Sequence, residues 1–108
     1  MNRTAKIYVE NNLAGELIEE VEGDYTFLYS SDYLEDPFSK NVSLTLPKRS
    51  DVYRSATLFP FFDGLIPEGW LLDLGIINWK LNPHDRMGLL LTLCKDCIGN
   101  VSVISYDE

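Results

Sequence analysis

The stretch AKIYVENNLAGELI, at residues 5–18, decides the class of fold. Every second residue from Ala5 to Val9 is apolar, and this period of two is typical of a half-buried β-strand. Two asparagines follow at positions 11–12, and asparagine tolerates the positive φ angles of a tight hairpin. The chain is therefore expected to turn there and return as a second strand at residues 13–18.

The rest of the sequence continues with strands and then changes to helical spacing. Gly15 is a candidate β-bulge, and Asn82 followed by Pro83 has the composition of a helix start. Further elements are predicted as follows: a third strand at 25–29, a helical turn at 31–34 capped by Ser31, a fourth strand at 42–46, helices starting at Pro60, at 67–81 and at 82–93, and a last strand at 101–105. This order predicts a single α+β domain over residues 1–108, with two to three helices packed on an antiparallel β-sheet.

Composition and charge exclude several classes of function. The chain has 108 residues and a formal net charge of −8, from 17 acidic and 9 basic residues. Binding to duplex DNA or to an anionic membrane surface needs a cationic footprint, so neither is expected of this chain. Its N-terminus does not resemble a secretory signal, and no apolar run is long enough to span a membrane. We therefore expect a cytoplasmic protein.

Catalytic and metal-binding motifs are not evident. Cys94 and Cys97 form a CxxC pair, but only His84 could join them at a zinc site, and its spacing is not that of known zinc motifs. The pair closes a predicted helix, where the helix dipole does not favour a thiolate. No glycine-rich phosphate loop, catalytic-loop HRD or DFG motif occurs. We expect no enzymatic activity, catalytic residue, metal or cofactor; a small thiol oxidoreductase is the alternative from the enzyme class.

An aromatic segment stands out in the second half. Residues 58–81 contain five Phe or Trp residues and one basic residue, Lys80. Two prolines and two glycines between Pro60 and Gly69 bend this segment, so its aromatic side chains cannot all face one core. Tryptophan is favoured at the centre of protein interfaces. We predict a partner-binding surface made of Phe61, Phe62, Asp63, Ile66, Pro67, Glu68, Gly69, Trp70 and Leu71. The alternative is a place in the core, and it is the favoured interpretation for Phe59, Phe62, Leu65 and Ile66.

The same segment carries a resemblance to a known family. FFDGLIPEG at residues 61–69, then KDCIGN at 95–100 and a hydrophobic strand, resembles the N-terminal subdomain of HipA-type bacterial serine/threonine kinases. LAGEL at 13–17 and VSLTLP at 42–47 are similar to two further motifs of that subdomain. The similarity runs in order from about Ala5 to the end of the chain, and the kinase core does not follow it.

The resemblance implies a function through partners. In three-component HipBST toxin–antitoxin systems, the small HipS protein corresponds to this subdomain, the toxic kinase HipT lacks it, and the helix-turn-helix protein HipB binds DNA. The implied function is that of an antitoxin that inhibits a HipT-type kinase, in a ternary complex with a HipB-like protein. The alternative is a non-inhibitory structural subunit that completes the kinase and supports operator repression.

Two departures from the family pattern bear on the site. Kinases of this family usually continue with polar or charged residues after the PEG at 67–69, whereas this chain has Trp70-Leu71-Leu72. Cys94 occupies a position where glycine is usual, and Asn100 replaces a common alanine. The apolar residues after Gly69 are what we expect if a contact within one chain has become a contact between two chains, with Trp70 as its anchor.

Overall fold

The computed structural model describes residues 3–66, 85–93 and 101–106. Five strands and three helices are described: β1 Arg3–Val9, β2 Asn12–Glu19, β3 Tyr25–Tyr29, α1 Ser31–Glu35, β4 Tyr53–Ser55, α2 Pro60–Asp63, α3 Arg86–Leu93 and β5 Val101–Ser105. The strands form one sheet in the order β4-β3-β2-β1-β5, and every neighbouring pair is antiparallel. The predicted α+β class and antiparallel sheet are confirmed.

The core lies on one face of the sheet, beneath the helices. Alternate residues of β1 point into it, and Ala5, Ile7 and Val9 are all buried. The largest fully buried side chains come from both layers: Ile7, Leu17, Phe27 and Val103 from the sheet, and Phe62, Met87, Leu89 and Leu90 from α2 and α3. The period of two in residues 5–9 therefore predicted the buried face correctly.

The first hairpin turns one residue earlier than expected. Val9 pairs with Asn12, so the two turn residues are Glu10 and Asn11, with φ angles of 52° and 71°. Positive φ at both central positions is the geometry of a type I′ turn, which matches the twist of the paired strands. Asn11 suits this conformation, and Glu10 adopts it without being a residue type that favours it.

A bulge lies beside Gly15, as the sequence suggested. Ile7 pairs with Gly15 while Tyr8 pairs with Leu13, so Ala14 is the extra residue. Gly15 is required for another reason: a Cβ atom there would lie 2.2 Å from the carbonyl oxygen of Leu28 in the neighbouring strand. The backbones of β2 and β3 approach too closely for any larger residue.

The predicted fourth strand was placed wrongly. Residues 42–46 form a turn with an isolated bridge between Ser43 and Leu46, and the fourth strand is Tyr53–Ser55. Pro47 has no N–H group to continue a ladder, whereas Tyr53 packs against Phe27 with its ring centroid 6.3 Å away. The long connection from α1 to β4 contains residues 36–49. We call them the pinned loop, because the hydroxyl groups of Tyr29, Tyr33 and Tyr53 bond to its backbone.

The helices agree with expectation in part. α1 and α2 occur where predicted, although Ser30 is the N-cap of α1 and makes no side-chain cap hydrogen bond. α3 begins at Arg86, and Asp85 accepts a hydrogen bond of 3.1 Å from the Gly88 N–H group at its first turn. Asp85 therefore caps the described helix. The cap expected at Asn82 and the helix predicted at residues 67–81 lie outside the described residues.

Candidate partner-binding surface

The first half of the predicted surface is built on α2. Pro60 occupies the first turn of this helix, where its missing N–H group costs nothing. The helix closes with hydrogen bonds of 2.9 Å from Asp63 N–H to Phe59 O and from Gly64 N–H to Pro60 O. Further N–H groups at Leu65 and Ile66 bond back to α2. Residues 59–66 are thus a compact, internally bonded corner.

Two of the predicted contact residues belong to the core instead. Phe62 is 0% exposed and Ile66 is 2% exposed, so a partner cannot reach either side chain in this structure. Phe62 lies at the centre of an aromatic cluster, with ring centroids 5.5 Å from Phe27, 6.2 Å from Phe59 and 5.3 Å from Phe61. The core position that the sequence favours for both residues is thus confirmed, and their inclusion in the predicted contact was wrong. Which side of a four-residue helix faces the sheet is decided by packing.

Phe61 and Asp63 remain at the surface. Phe61 is half-buried and meets Phe62 edge to face. Asp63 accepts a hydrogen bond of 2.6 Å from Arg86 Nε, which joins α2 to the start of α3. An ion pair this exposed contributes little to stability, about 0–1 kcal/mol. It is nevertheless a direct side-chain link between α2 and α3.

The other predicted contact residues lie outside the described residues: Pro67, Glu68, Gly69, Trp70 and Leu71. Cys94, Cys97 and His84 lie outside them too. What the structure supplies is the point from which this segment starts. Ile66, the last described residue before it, is buried in the core.

The described residues offer little chemistry. Within residues 3–66, 85–93 and 101–106, no group of three or more His, Cys, Asp or Glu side chains could hold a metal ion. A depression of about 230 Å³ over β3 and β4 is open and partly polar, lined by Asp24, Tyr25, Thr26, Arg54, Ser55 and Ala56. No helix in the described part of the chain is long and apolar enough to cross a membrane.

Shifted pKa values in this part of the chain have structural causes. Burial raises the pKa of Tyr25 to about 12, helped by its hydrogen bond to Glu19. A hydrogen bond from Arg3 lowers the pKa of Asp85, against an opposing effect of burial. Both shifts belong to one network that joins β1, β2 and β3 to α3, and this network stabilises the domain.

Sequence reasoning missed one exposed apolar feature. In the described residues Phe38 is 90% exposed and Leu44 is 97% exposed, and both belong to the pinned loop. The apparent alternation at residues 42–46 placed Leu44 with the buried Val42 and Leu46, which was wrong because these residues form a turn. No local pattern indicated the exposure of either side chain.

Comparison with known proteins identifies the family. The HipA N-terminal domain family matches residues 5–104. The chain belongs to this family. The solved structure of the N-terminal domain of HipA toxin superposes with a TM-score of 0.72 at 28% identity, covering 95% of this chain and 92% of that one. The resemblance and fold predicted from the sequence are confirmed.

Two relatives of this HipA N-terminal domain protein differ in length. A Haemophilus influenzae protein of unassigned function is 31% identical over 94% of this chain and 91% of its own length. Sinorhizobium fredii Y4mE, whose name proposes a kinase, is 26% identical over 98% of this chain but only 25% of its own length. The family relates the chain to a toxin–antitoxin context, and the match covers the N-terminal domain and none of a kinase's catalytic region.

Proposed function

We propose that this chain is a HipS-type antitoxin: it binds a HipA-like serine/threonine kinase of the HipT type and inhibits phosphotransfer, with no catalysis of its own. One observation carries the proposal. The chain matches the HipA N-terminal domain over residues 5–104, yet its 108 residues contain neither an HRD nor a DFG motif. In Y4mE the matching region is one quarter of a longer chain. As a separate chain, the same domain can act on a kinase that lacks it, by occupying the corresponding place on that kinase.

The proposed contact consists of Phe61 and Asp63 together with Pro67, Glu68, Gly69, Trp70 and Leu71. Trp70 is its proposed anchor. Trp70 supplies a large apolar area that loses little side-chain entropy on binding. Apolar residues after PEG, where related kinases have polar ones, support an interface between chains.

The described corner supports such a contact by holding its base still. Phe62 and Ile66 are buried and Asp63 is bonded to Arg86, so residues 61–66, the described part of the 61–71 segment, are anchored to the domain. A surface that is already ordered loses less conformational entropy when it binds. Phe62 and Ile66 therefore contribute by positioning the contact and do not touch the kinase.

Inhibition follows if the bound kinase cannot reach its active geometry. Phosphoryl transfer requires metal, γ-phosphate and substrate hydroxyl to be aligned. A partner that binds an inactive conformation more tightly than the active one shifts the population toward the inactive form. Binding 100-fold tighter to the inactive form corresponds to about 2.7 kcal/mol, which is within reach of one anchored interface.

The family resemblance implies the other member of the system, a HipB-like helix-turn-helix protein that binds the operator in a ternary complex. The net charge of −8 is consistent with this division of roles, because it makes the chain itself unsuited to duplex DNA. Such an assembly acts in the cytoplasm. A non-inhibitory structural subunit is the competing role for the same complex.

The decisive experiment measures kinase binding, phosphotransfer and rescue of growth together. The purified chain should bind a HipA-like kinase of the HipT type, stop its phosphotransfer and relieve its toxicity when the HipB-like protein is absent. Trp70→Ala should weaken binding by about 2 kcal/mol, or about 30-fold. Val21→Ala is the matched control, since Val21 is 72% exposed on the β2–β3 turn and should change neither binding nor rescue.

Three other outcomes would contradict the proposal in whole or in part. Binding without relief of toxicity would assign the structural-subunit role instead. No binding by the wild-type chain would overturn the proposed function, whereas unchanged affinity and rescue with Trp70→Ala would overturn only the assignment of the anchor.

A further inference from the structure

Three tyrosine hydroxyls hold the pinned loop, residues 36–49, against the domain. Tyr33 Oη donates a hydrogen bond of 2.6 Å to the Lys40 carbonyl oxygen, and Tyr53 Oη donates one of 2.5 Å to the Pro47 carbonyl oxygen. Tyr29 Oη donates a third to the Leu46 carbonyl oxygen. Tyr29 Oη also accepts a 2.9 Å hydrogen bond from Val42 N–H. The loop is therefore fixed at its middle and at its end.

A lysine side chain closes the first turn of this loop. Lys48 Nζ lies 3.0 Å from the Asp36 carbonyl oxygen and 3.1 Å and 2.6 Å from the carbonyl and hydroxyl oxygens of Ser39. Asp36 and Ser39 flank Phe38, and Phe38 N–H donates to Asp36 Oδ1 at 2.9 Å. The backbone on both sides of Phe38 is thus tied down.

The second turn is closed in a similar way. Ser43 and Leu46 form a bridge around Leu44, and Ser43 Oγ accepts a 3.1 Å hydrogen bond from Thr45 N–H. Leu46 and Val42 are buried, which anchors the turn at both ends. Leu44 is consequently held at the tip of an ordered turn.

Ordered turns that expose large apolar side chains are characteristic of recognition surfaces. Phe38 and Leu44 are 90% and 97% exposed, although nine hydrogen bonds hold the loop in place. Neither side chain contributes to the core. An exposed side chain that is already positioned loses little entropy when it enters a pocket on a partner.

The charge of the loop differs in sign from that of the whole chain. Residues 36–49 contain three basic residues and one acidic residue, whereas the chain carries a net charge of −8. Lys40 is exposed but lies 2.9 Å from Glu10 Oε1, so the positive charge of this surface is carried mainly by Arg49, which is exposed and lies over the Tyr53 ring at 3.6 Å from its centroid. A positive surface on an acidic protein favours a partner that is negative at the point of contact.

We propose that the pinned loop is a second docking surface for the kinase. The kinase receives Phe38 and Leu44 in apolar pockets that are bordered by carboxylates. This inference rests on the proposed function and adds a contact outside the 61–71 segment. The match to one quarter of Y4mE supports the choice of occupant, because in that longer chain the domain is joined to a much larger remainder that can cover part of its surface. An anionic membrane is disfavoured by the net charge of −8.

The test compares kinase affinities of the whole chain and its variants. Phe38→Ser/Leu44→Ser should weaken binding to the HipT-type kinase by about 10- to 100-fold while the melting temperature stays unchanged, since neither side chain is packed. Val21→Ser, which removes an exposed apolar side chain elsewhere, should bind like the wild type. Arg49→Glu should slow association, with the largest effect at low ionic strength.

The outcomes separate this inference from the proposed function. Unchanged affinity of the Phe38→Ser/Leu44→Ser variant, with a wild-type chain that binds and inhibits, overturns the second surface and leaves the antitoxin proposal intact. A wild-type chain that does not bind the kinase overturns both. Loop-dependent binding to phosphatidylserine vesicles, or loop-dependent self-association by sedimentation, with unchanged kinase affinity would assign the loop to a membrane or to a second copy and also overturn the inference.

Discussion

Arg3 and Asp85 form a two-pronged ion pair that joins the first strand to the cap of the last described helix. Arg3 Nη1 lies 2.9 Å from Asp85 Oδ2, and Arg3 Nη2 lies 2.7 Å from Asp85 Oδ1. Arg3 Nε also donates a hydrogen bond of 2.6 Å to Glu19 Oε1. One guanidinium group therefore connects β1, β2 and α3, although Arg3 and Asp85 are 82 positions apart in sequence.

The pH dependence of stability should report this pair. The pKa of Asp85 is lowered in the folded chain. The charge of Asp85 therefore contributes fully to the free energy of unfolding above the unfolded pKa of about 3.9, and this contribution is lost as the pH falls through the lower folded pKa. Asp85→Asn retains a good helix cap but removes the charge. We expect Asp85→Asn to cost roughly 1 kcal/mol at pH 7, allowing for solvent screening, and less in acid.

Urea denaturation of the wild type and Asp85→Asn at pH 7 and at about pH 3 would measure this difference. The gap in the free energy of unfolding should narrow at the lower pH. A gap that stays constant between the two pH values would show that the Asp85 charge does not stabilise the fold.

The same ion pair leaves no room for a side chain at Gly88. Alanine usually stabilises a helix interior by about 1 kcal/mol relative to glycine. At this position, however, a Cβ atom would lie 2.4 Å from Asp85 Oδ2 and 2.9 Å from Asp85 Cγ. Gly88→Ala should therefore lower the free energy of unfolding in the wild type, because it displaces the carboxylate from Arg3.

A double-mutant cycle supplies the control for Gly88. In an Asp85→Ala background the obstructing carboxylate is absent, and Gly88→Ala should raise the free energy of unfolding by up to about 1 kcal/mol. The same sign in both backgrounds would mean that the close approach of Gly88 and Asp85 has no energetic consequence.

Tyr29 should be the most important of the three tyrosines that hold the pinned loop. Its hydroxyl bonds Leu46 O and Val42 N–H, both in buried residues, and burial raises the pKa of this tyrosine. Tyr29→Phe leaves both backbone groups without that partner and should cost about 1–3 kcal/mol by chemical denaturation. Tyr53→Phe removes one hydrogen bond at an exposed site and should cost less.

The order of these two effects is the critical result. If Tyr53→Phe destabilised the domain more than Tyr29→Phe, the buried hydroxyl would not be the main attachment of the loop.

Phe61 and Phe62 should separate stability from binding. Phe62 is fully buried, so Phe62→Ala should cost about 3–5 kcal/mol of unfolding free energy. Phe61 is half-buried at the edge of the proposed contact, so Phe61→Ala should affect stability less and kinase affinity more. Thermal melts and affinity titrations of the two variants would compare these effects, and a Phe61→Ala protein with unimpaired kinase binding would remove Phe61 from the contact.

Much of the fold was predictable from local patterns. The alternation at residues 5–9 identified the buried face of β1, and the Asn pair located the first turn to within one residue. Strand periodicity and turn residues act over a few positions, so they leave a local signature. The family motifs around FFDGLIPEG also belong to the sequence alone, and the family match bears them out.

Tertiary structure decided what local patterns could not. Residues 42–46 alternate like a strand, yet Tyr53–Ser55 takes the edge of the sheet, because Tyr53 can pack on Phe27 and Pro47 cannot extend a ladder. In the same way, the exposure of Phe38 and Leu44 depends on which neighbours the fold brings to them. Contacts between residues far apart in sequence determine these outcomes, as they do for Arg3 and Asp85, and such contacts leave no periodic signal in the chain.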